Sequence, residues 1–156
     1  MAGYFRMRRD LTAPIVPVPF PSGVVLVDFD RDVARACGEL MNRVYGEVGY
    51  APVRFEDWYD ALVGDAEYEP ALVWVAMAQG HVVGICQCWN VPFVKDFVVD
   101  AAWRRRGLGG ALLTLAMTTF AERGAGSIDL KTDIENEAAQ SLYKRLGFVI
   151  VERVGG

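Results

Sequence analysis

Arg104-Arg105-Arg106-Gly107-Leu108-Gly109-Gly110-Ala111 is the stretch of this chain best equipped for chemistry. It follows the apolar run Val94 to Val99 and opens an uncharged helical pattern from Ala111 to Glu122. A strand that enters a glycine-rich, arginine-bearing turn and then a helix makes a cradle for a pyrophosphate. Glycines let backbone N–H groups close on phosphate oxygens without a Cβ in the way, and the helix start adds unpaired donors and the positive end of its dipole. Two common phosphate loops are excluded. A P-loop needs Lys and Ser or Thr after its second glycine, where this chain has Gly110-Ala111. A dinucleotide fingerprint needs a third glycine where Leu112 stands.

The remaining pattern, R-x-x-G-x-G, is joined downstream by Asn136, Ala139, Leu142-Tyr143 and Gly147-Phe148, in the arrangement N-x-x-A-x-x-L-Y-x-x-x-G-F. On these two ordered motifs the chain resembles the GCN5-related N-acetyltransferases. The match runs from Ala71 to Val151, extends more loosely to Val24 and leaves out the first twenty or so residues. The resemblance implies an α/β fold of the acyl-CoA N-acyltransferase type, a mixed central sheet flanked by helices. It also implies acetyl-CoA as cofactor and a small-molecule or peptide amine as acceptor. Members of the family often pair as homodimers.

The same resemblance distributes roles. Backbone groups of Phe97, Val98 and Val99 would hold the pantetheine amides where two strands splay. Arg104, Arg105, Arg106, Gly107, Leu108, Gly109 and Gly110 would clamp the pyrophosphate, with Asn136 a further cofactor contact. Tyr143 falls on the tyrosine that lies along the cofactor and protonates the leaving thiolate. Read without the resemblance, Tyr143 is a helix tyrosine packed on the core, and Asn136 is a helix N-cap. Asp96, inside the strand beside the cofactor, is the leading general base; a salt-bridged strand residue is the alternative. His81, alone of its type, sits in a tight turn and reads as a surface residue.

Other chemistries find less support. Cys86 and Cys88 lie two apart on a strand and so face one way, but no second pair completes a metal site, and apolar packing is their expected role. No metal is expected. A net charge of −4 and a pI near 5.0 argue against nonspecific nucleic-acid binding. The triple arginine has no aromatic platform beside it for bases to stack on. No apolar run is long enough for a membrane helix, and three cysteines do not make a disulfide framework, so the expected place is the cytoplasm.

Around these residues the elements follow from periodicity. Residues 1–23 form a proline-rich arm with four prolines between Pro14 and Pro21, and residues 24–156 form the acetyltransferase-like domain. Val24 to Phe29 reads as a strand. Asp30 caps a helix reaching Glu47, with Val33, Cys37, Leu40, Met41 and Val44 on its apolar face. A loop through Gly49 and Pro52 leads to a short helix, Phe55 to Gly64. Strands Ala71 to Ala78 and Val82 to Val91 form a hairpin through Gln79-Gly80-His81, and Val94 to Val99 follows. A helix from Gly107 to Arg123, a strand Ser127 to Thr132, a helix Asn136 to Leu146 and a strand Phe148 to Val154 complete the order. The region of Tyr45, Tyr50, Phe55, Trp58 and Tyr59, with acids interspersed, is where the family resemblance implies that the acceptor is received; read without it, the region is core with a solvated outer face.

Two departures from the family pattern stand out. Ala101-Ala102-Trp103 replaces the usual Pro-Glu before the arginine turn. The chain also ends at Gly156, one strand short; either the sheet lacks that strand, or Tyr4 to Leu11 fills the edge from its own chain or a neighbour's.

Overall fold

The computed structural model describes residues 3–156. Its strands are β1 (Tyr4–Asp10), β2 (Val25–Val27), β3 (Tyr68–Ala78), β4 (His81–Trp89), β5 (Phe93–Val99), β6 (Ser127–Asp133) and β7 (Val149–Val154). Its α-helices are α1 (Arg31–Gly46), α2 (Phe55–Val63), α3 (Leu108–Glu122) and α4 (Glu137–Arg145). The strands form one seven-stranded sheet in the order β2-β3-β4-β5-β6-β1-β7. All neighbours are antiparallel except β5 and β6, which run parallel. None of the described helices is long and apolar enough to cross a membrane.

Helices lie on both faces. One cluster, with Cys37, Leu40, Met41, Leu62, Val75, Ile85 and Val98, fills the space under α1 and α2. The other, with Met7, Val94, Leu112, Met117, Phe120, Leu130 and Phe148, lies under α3 and α4. Asp30 caps α1 by accepting from the Val33 N–H at 2.8 Å. Buried Ala34, Cys37, Leu40 and Met41 form its inward stripe, while Val33 and Val44 border it. Helix α3 carries no charge until its last residue because it is buried from Leu108 to Phe120 on nearly every side.

The arm supplies a strand of the sheet. β1 enters the interior of the sheet, between β6 and β7, from its own chain; the position is not an edge. Met7 points into the α3/α4 cluster. Arg9, two residues on, is 7% exposed and directs its guanidinium to the carbonyls of Asp10, Ala13 (3.2 Å), Pro14 (2.7 Å) and Leu146 (2.9 Å). That guanidinium joins the arm to the end of α4. The arm then crosses the start of α3, where the Val18 N–H donates to Thr114 Oγ1 at 3.0 Å and its methyls lie against Gly110.

Strand limits move where the backbone chemistry changes. β2 keeps three residues of the expected Val24 to Phe29, because pairing with β3 stops at Val27 and Phe29 turns into the α1/α2 cluster. β3 starts earlier than expected, at Tyr68. The proline at 70, which cannot donate to a ladder, lies where its register with β4 shifts. The turn at 79–80 is as tight as expected, with Gln79 and Gly80 both left-handed (φ 52° and 77°).

Candidate active site

β5 and β6 pair only at Phe93↔Asp129 and Val94↔Leu130. Beyond Val94 the two strands diverge. On its other side β5 stays laddered to β4 through Asp96, Phe97, Val98 and Val99. The main-chain groups of β5 that face β6 are therefore open to a ligand. A cavity of ≈ 480 Å³ fills the divergence, lined by Asp96, Phe97, Lys131, Thr132, Asn136 and Tyr143 among others.

One end of β5 runs through a single turn of 3-10 helix, Ala101–Trp103, into the arginine turn. Arg105 and Gly107 adopt left-handed backbone (φ 62° and 88°) on either side of Arg106. This alternation curls successive N–H groups to one side. No acceptor within the described protein pairs with the N–H groups from Arg105 to Gly110; Ala111 is the first of the helix to bond, to Gly107 O at 3.0 Å. The turn has the donors that a pyrophosphate needs, and the missing Pro-Glu has not removed them.

The glycines there have separate physical reasons. A Cβ on Gly109 would lie 3.2 Å from the Phe97 ring and 3.3 Å from Leu142, and one on Gly110 would lie 3.2 Å from Val18. Leu108 sends its side chain into the core, fully buried, so only its backbone is available. Of the arginines, Arg104 donates to both oxygens of Glu47 at 3.1 and 3.2 Å and to Val99 O at 3.3 Å. Arg106 stacks on Trp103 with 4.7 Å between guanidinium carbon and ring centre. Arg105 makes no ion pair among the described residues.

The candidate acid and base arrive from opposite faces of the sheet. Tyr143, on α4, belongs to the α3/α4 cluster, with its ring 6.2 Å from that of Phe97 and 6.0 Å from that of Phe148. Burial, with Cys86 adding to it, pushes its phenol well above the ordinary tyrosine value, so it stays protonated at any working pH. Asp96 faces α1, where Tyr45 donates to its Oδ1 at 2.9 Å. Both line the one cavity. Asn136 caps α4, accepting from the Ala139 N–H at 3.1 Å, and also lines the cavity, so capping leaves it free to face a ligand there.

Some of the site could not be read from residue types. Tyr45, identified from sequence only as one of several aromatics, is the direct partner of Asp96. Burial first, then the charge and hydrogen bond of Asp96, raise its phenol far above its usual value. A second cavity of ≈ 380 Å³ continues from the first between α1, α2 and β5, lined by Met41, Phe55, Trp58, Glu39, Tyr45 and Asp96 in particular. The loop from 47 to 54 spans the cleft, with Tyr50 donating to Asp133 at 3.0 Å. Asn42 clamps that loop by pairing with both backbone groups of Val53 at 2.9 Å. A helical register through Tyr45 could have flagged its direction; its partner lies 51 residues away. Among the described residues no acidic, histidine or cysteine cluster is arranged to hold a metal. Cys86 and Cys88 are buried with their sulfurs 3.9 Å apart, and burial holds the Cys88 thiol well above its usual value. His81 is exposed, as its turn implied.

Comparison with known proteins agrees with this geometry. A mycothiol acetyltransferase of Clavibacter sepedonicus is 31% identical over 134 residues, covering 82% of this chain and 43% of that protein. N-alpha-acetyltransferase 30 of Xenopus laevis is 30% identical over 93 residues, 54% of this chain and 34% of that protein. The crystal structure of a GCN5-related N-acetyltransferase from Sphaerobacter thermophilus superposes with a TM-score of 0.82 at 26% identity, over 97% of this chain and 49% of that one. The chain thus spans less than half the length of each of these relatives. The profile of the acetyltransferase (GNAT) family matches residues 35–148, from within α1 to the end of the second motif, and the chain belongs to that family.

Proposed function

We propose that this chain is an acetyl-CoA-dependent N-acetyltransferase that acetylates a primary amine by direct attack. The observation that carries the proposal is the placement of Asp96 and Tyr143. They come from opposite faces of the sheet and open onto one cleft beside β5, the strand whose chain runs on into a turn of unpaired N–H donors. When bound, acetyl-CoA supplies an acyl group on sulfur, which the amine nitrogen takes as the carbon–sulfur bond breaks.

The chain's own residues then have distinct tasks. N–H groups from Arg105 to Gly110, with the three arginines, hold the pyrophosphate, and those backbone groups of the Phe97 to Val99 stretch that face away from β4 hold the pantetheine amides. Asp96, oriented by Tyr45, accepts the proton that the amine loses. Tyr143 gives its proton to the leaving thiolate and regains one from solvent; its burial keeps it neutral until that step. Leu108 supplies backbone only. The amine enters from the α1/α2 side, where the aromatic cavity meets Asp96. The relatives are named for unlike acceptors, so the class is kept at a small-molecule or peptide amine. Three free, buried cysteines suit a reducing compartment, in support of a cytoplasmic reaction.

Calorimetric titration with acetyl-CoA beside CoA, repeated on Gly109→Glu, tests the cofactor. Saturable binding that the variant loses is expected. A folded wild-type protein that binds neither would defeat the reading. A screen of primary amines for thiol release, with Tyr143→Phe as control, then tests catalysis; binding without turnover would leave an acyl-CoA-binding module.

A further inference from the structure

Gln87 breaks a rule that the rest of the interior obeys. It is fully buried, and neither its Nε2 nor its Oε1 has a hydrogen-bond partner; no other buried side chain among the described residues is in that position. An unpaired buried amide destabilises the fold, a loss that an apolar side chain of similar shape would recover. Residues that weaken the fold without local compensation concentrate where function requires them.

Its location gives that cost a meaning. Gln87 lies on β4 between Ile85 and Trp89, both packed in the cluster under α1 and α2, so its side chain points to that face. Directly across the strand pair stands Asp96. Residues so opposed have Cβ atoms about 4.5–5.5 Å apart, on the same face. The ladder shifts register immediately after this pair, between Gln87 and Cys88. Tyr45 engages Oδ1 of Asp96 and leaves Oδ2 without a donor among the described residues.

We propose that Gln87 is a positioning residue for Asp96, its amide holding the Oδ2 oxygen through one buried water so that the carboxylate is fixed from both sides. The water accepts from Nε2 and donates to Oδ2, which gives those two atoms a bond each and meets a buried water's need for at least two polar contacts. This inference rests on the reading of Asp96 as the base. It goes beyond that reading in assigning a function to a side chain outside the cleft lining.

The test compares Gln87→Met, Asp96→Asn and the double variant, with acetyl-CoA and the best primary amine from the screen. For Gln87→Met the expectation is a melting temperature at or above wild type, an acetyl-CoA Kd within about twofold, and kcat lower by about tenfold with the amine KM little changed. In the Asp96→Asn background the same change should have no further effect on kcat. Unchanged kcat in Gln87→Met, with Asp96→Asn impaired, overturns this inference alone; unchanged kcat in Asp96→Asn overturns the base itself. A fall in melting temperature that accompanies the loss of activity would make the residue structural and also overturn it. A crystal structure at a resolution that orders water gives a readout independent of turnover. It should show a water within hydrogen-bonding distance of both side chains, and a dry or protein-bonded amide would count against the proposal.

Discussion

The Arg104 guanidinium closes on the Glu47 carboxylate through two hydrogen bonds of 3.1 and 3.2 Å, joining the arginine turn to the end of α1. The first residue of the R-x-x-G-x-G pattern is thereby held at the end of the helix that lines the cavity between α1, α2 and β5.

If the arginine turn holds the cofactor's pyrophosphate as proposed, Glu47 competes with that phosphate for Arg104. Both side chains are more than two-fifths exposed, so the pair is worth at most about 1 kcal/mol. Glu47→Gln should therefore tighten acetyl-CoA binding by up to about fivefold at low salt, and the gain should fade as ionic strength rises. Calorimetry at two salt concentrations reads this; weaker binding in the variant would mean that Glu47 organises Arg104 for the cofactor.

Tyr143→Phe should lower kcat by about a hundredfold and leave the acetyl-CoA Kd within about twofold, since only a proton is removed. Burial raises the folded phenol above its unfolded value near 10, and the same holds for Tyr45. The wild-type rate should then show no alkaline loss attributable to Tyr143 below about pH 10. By the same sign, fold stability from these phenols is intact below about pH 10 and declines above it, where the unfolded chain ionises first. A pH–rate profile and alkaline melting curves check both.

Gly147, the glycine of the second motif, combines a left-handed backbone (φ 95°) with a Cβ position 2.7 Å from Arg9 Nε. Gly147→Ala should cost about 1–3 kcal/mol, because strain and displacement of a buried guanidinium act together. Urea denaturation should show the loss, and Gly124→Ala, left-handed but with open space, should cost less.

Asp129 is 5% exposed and takes Arg6 at 2.6 Å and Arg8 at 2.8 and 2.9 Å. Burial pushes its carboxyl up, but the hydrogen bonds and charges of Arg8 and Arg6 outweigh this and hold it below the usual carboxylate value. Asp129→Asn should cost about 1–3 kcal/mol at pH 7, where the folded carboxylate is charged. Because the folded value is the lower one, that contribution is present above the unfolded value near 3.9 and disappears as the pH falls below it. Wild type and variant should converge in stability under acid denaturation.

Residue types and spacing were enough for the glycine turn and for most elements. A glycine turn must be a turn, and an uncharged helix must be buried, whatever lies around them. The motif through Asn136, Tyr143 and Gly147-Phe148 identified α4 and its cap in the same way, because capping and periodicity act within a few residues. Sequence also foresaw that Tyr4 to Leu11 could complete the sheet. It offered an edge, whereas the strand is interior.

Tertiary structure alone decided what depends on partners far along the chain. Tyr45 meets Asp96 across 51 residues, Arg104 meets Glu47 across 57, and Arg9 reaches Leu146 across 137. No local propensity encodes such pairs; they follow from sheet order and register. The same holds for Gln87, whose sequence neighbours mark a buried strand but do not reveal an amide left unpaired opposite Asp96. Periodicity determines which face a side chain takes, and only the assembled sheet determines what it finds there.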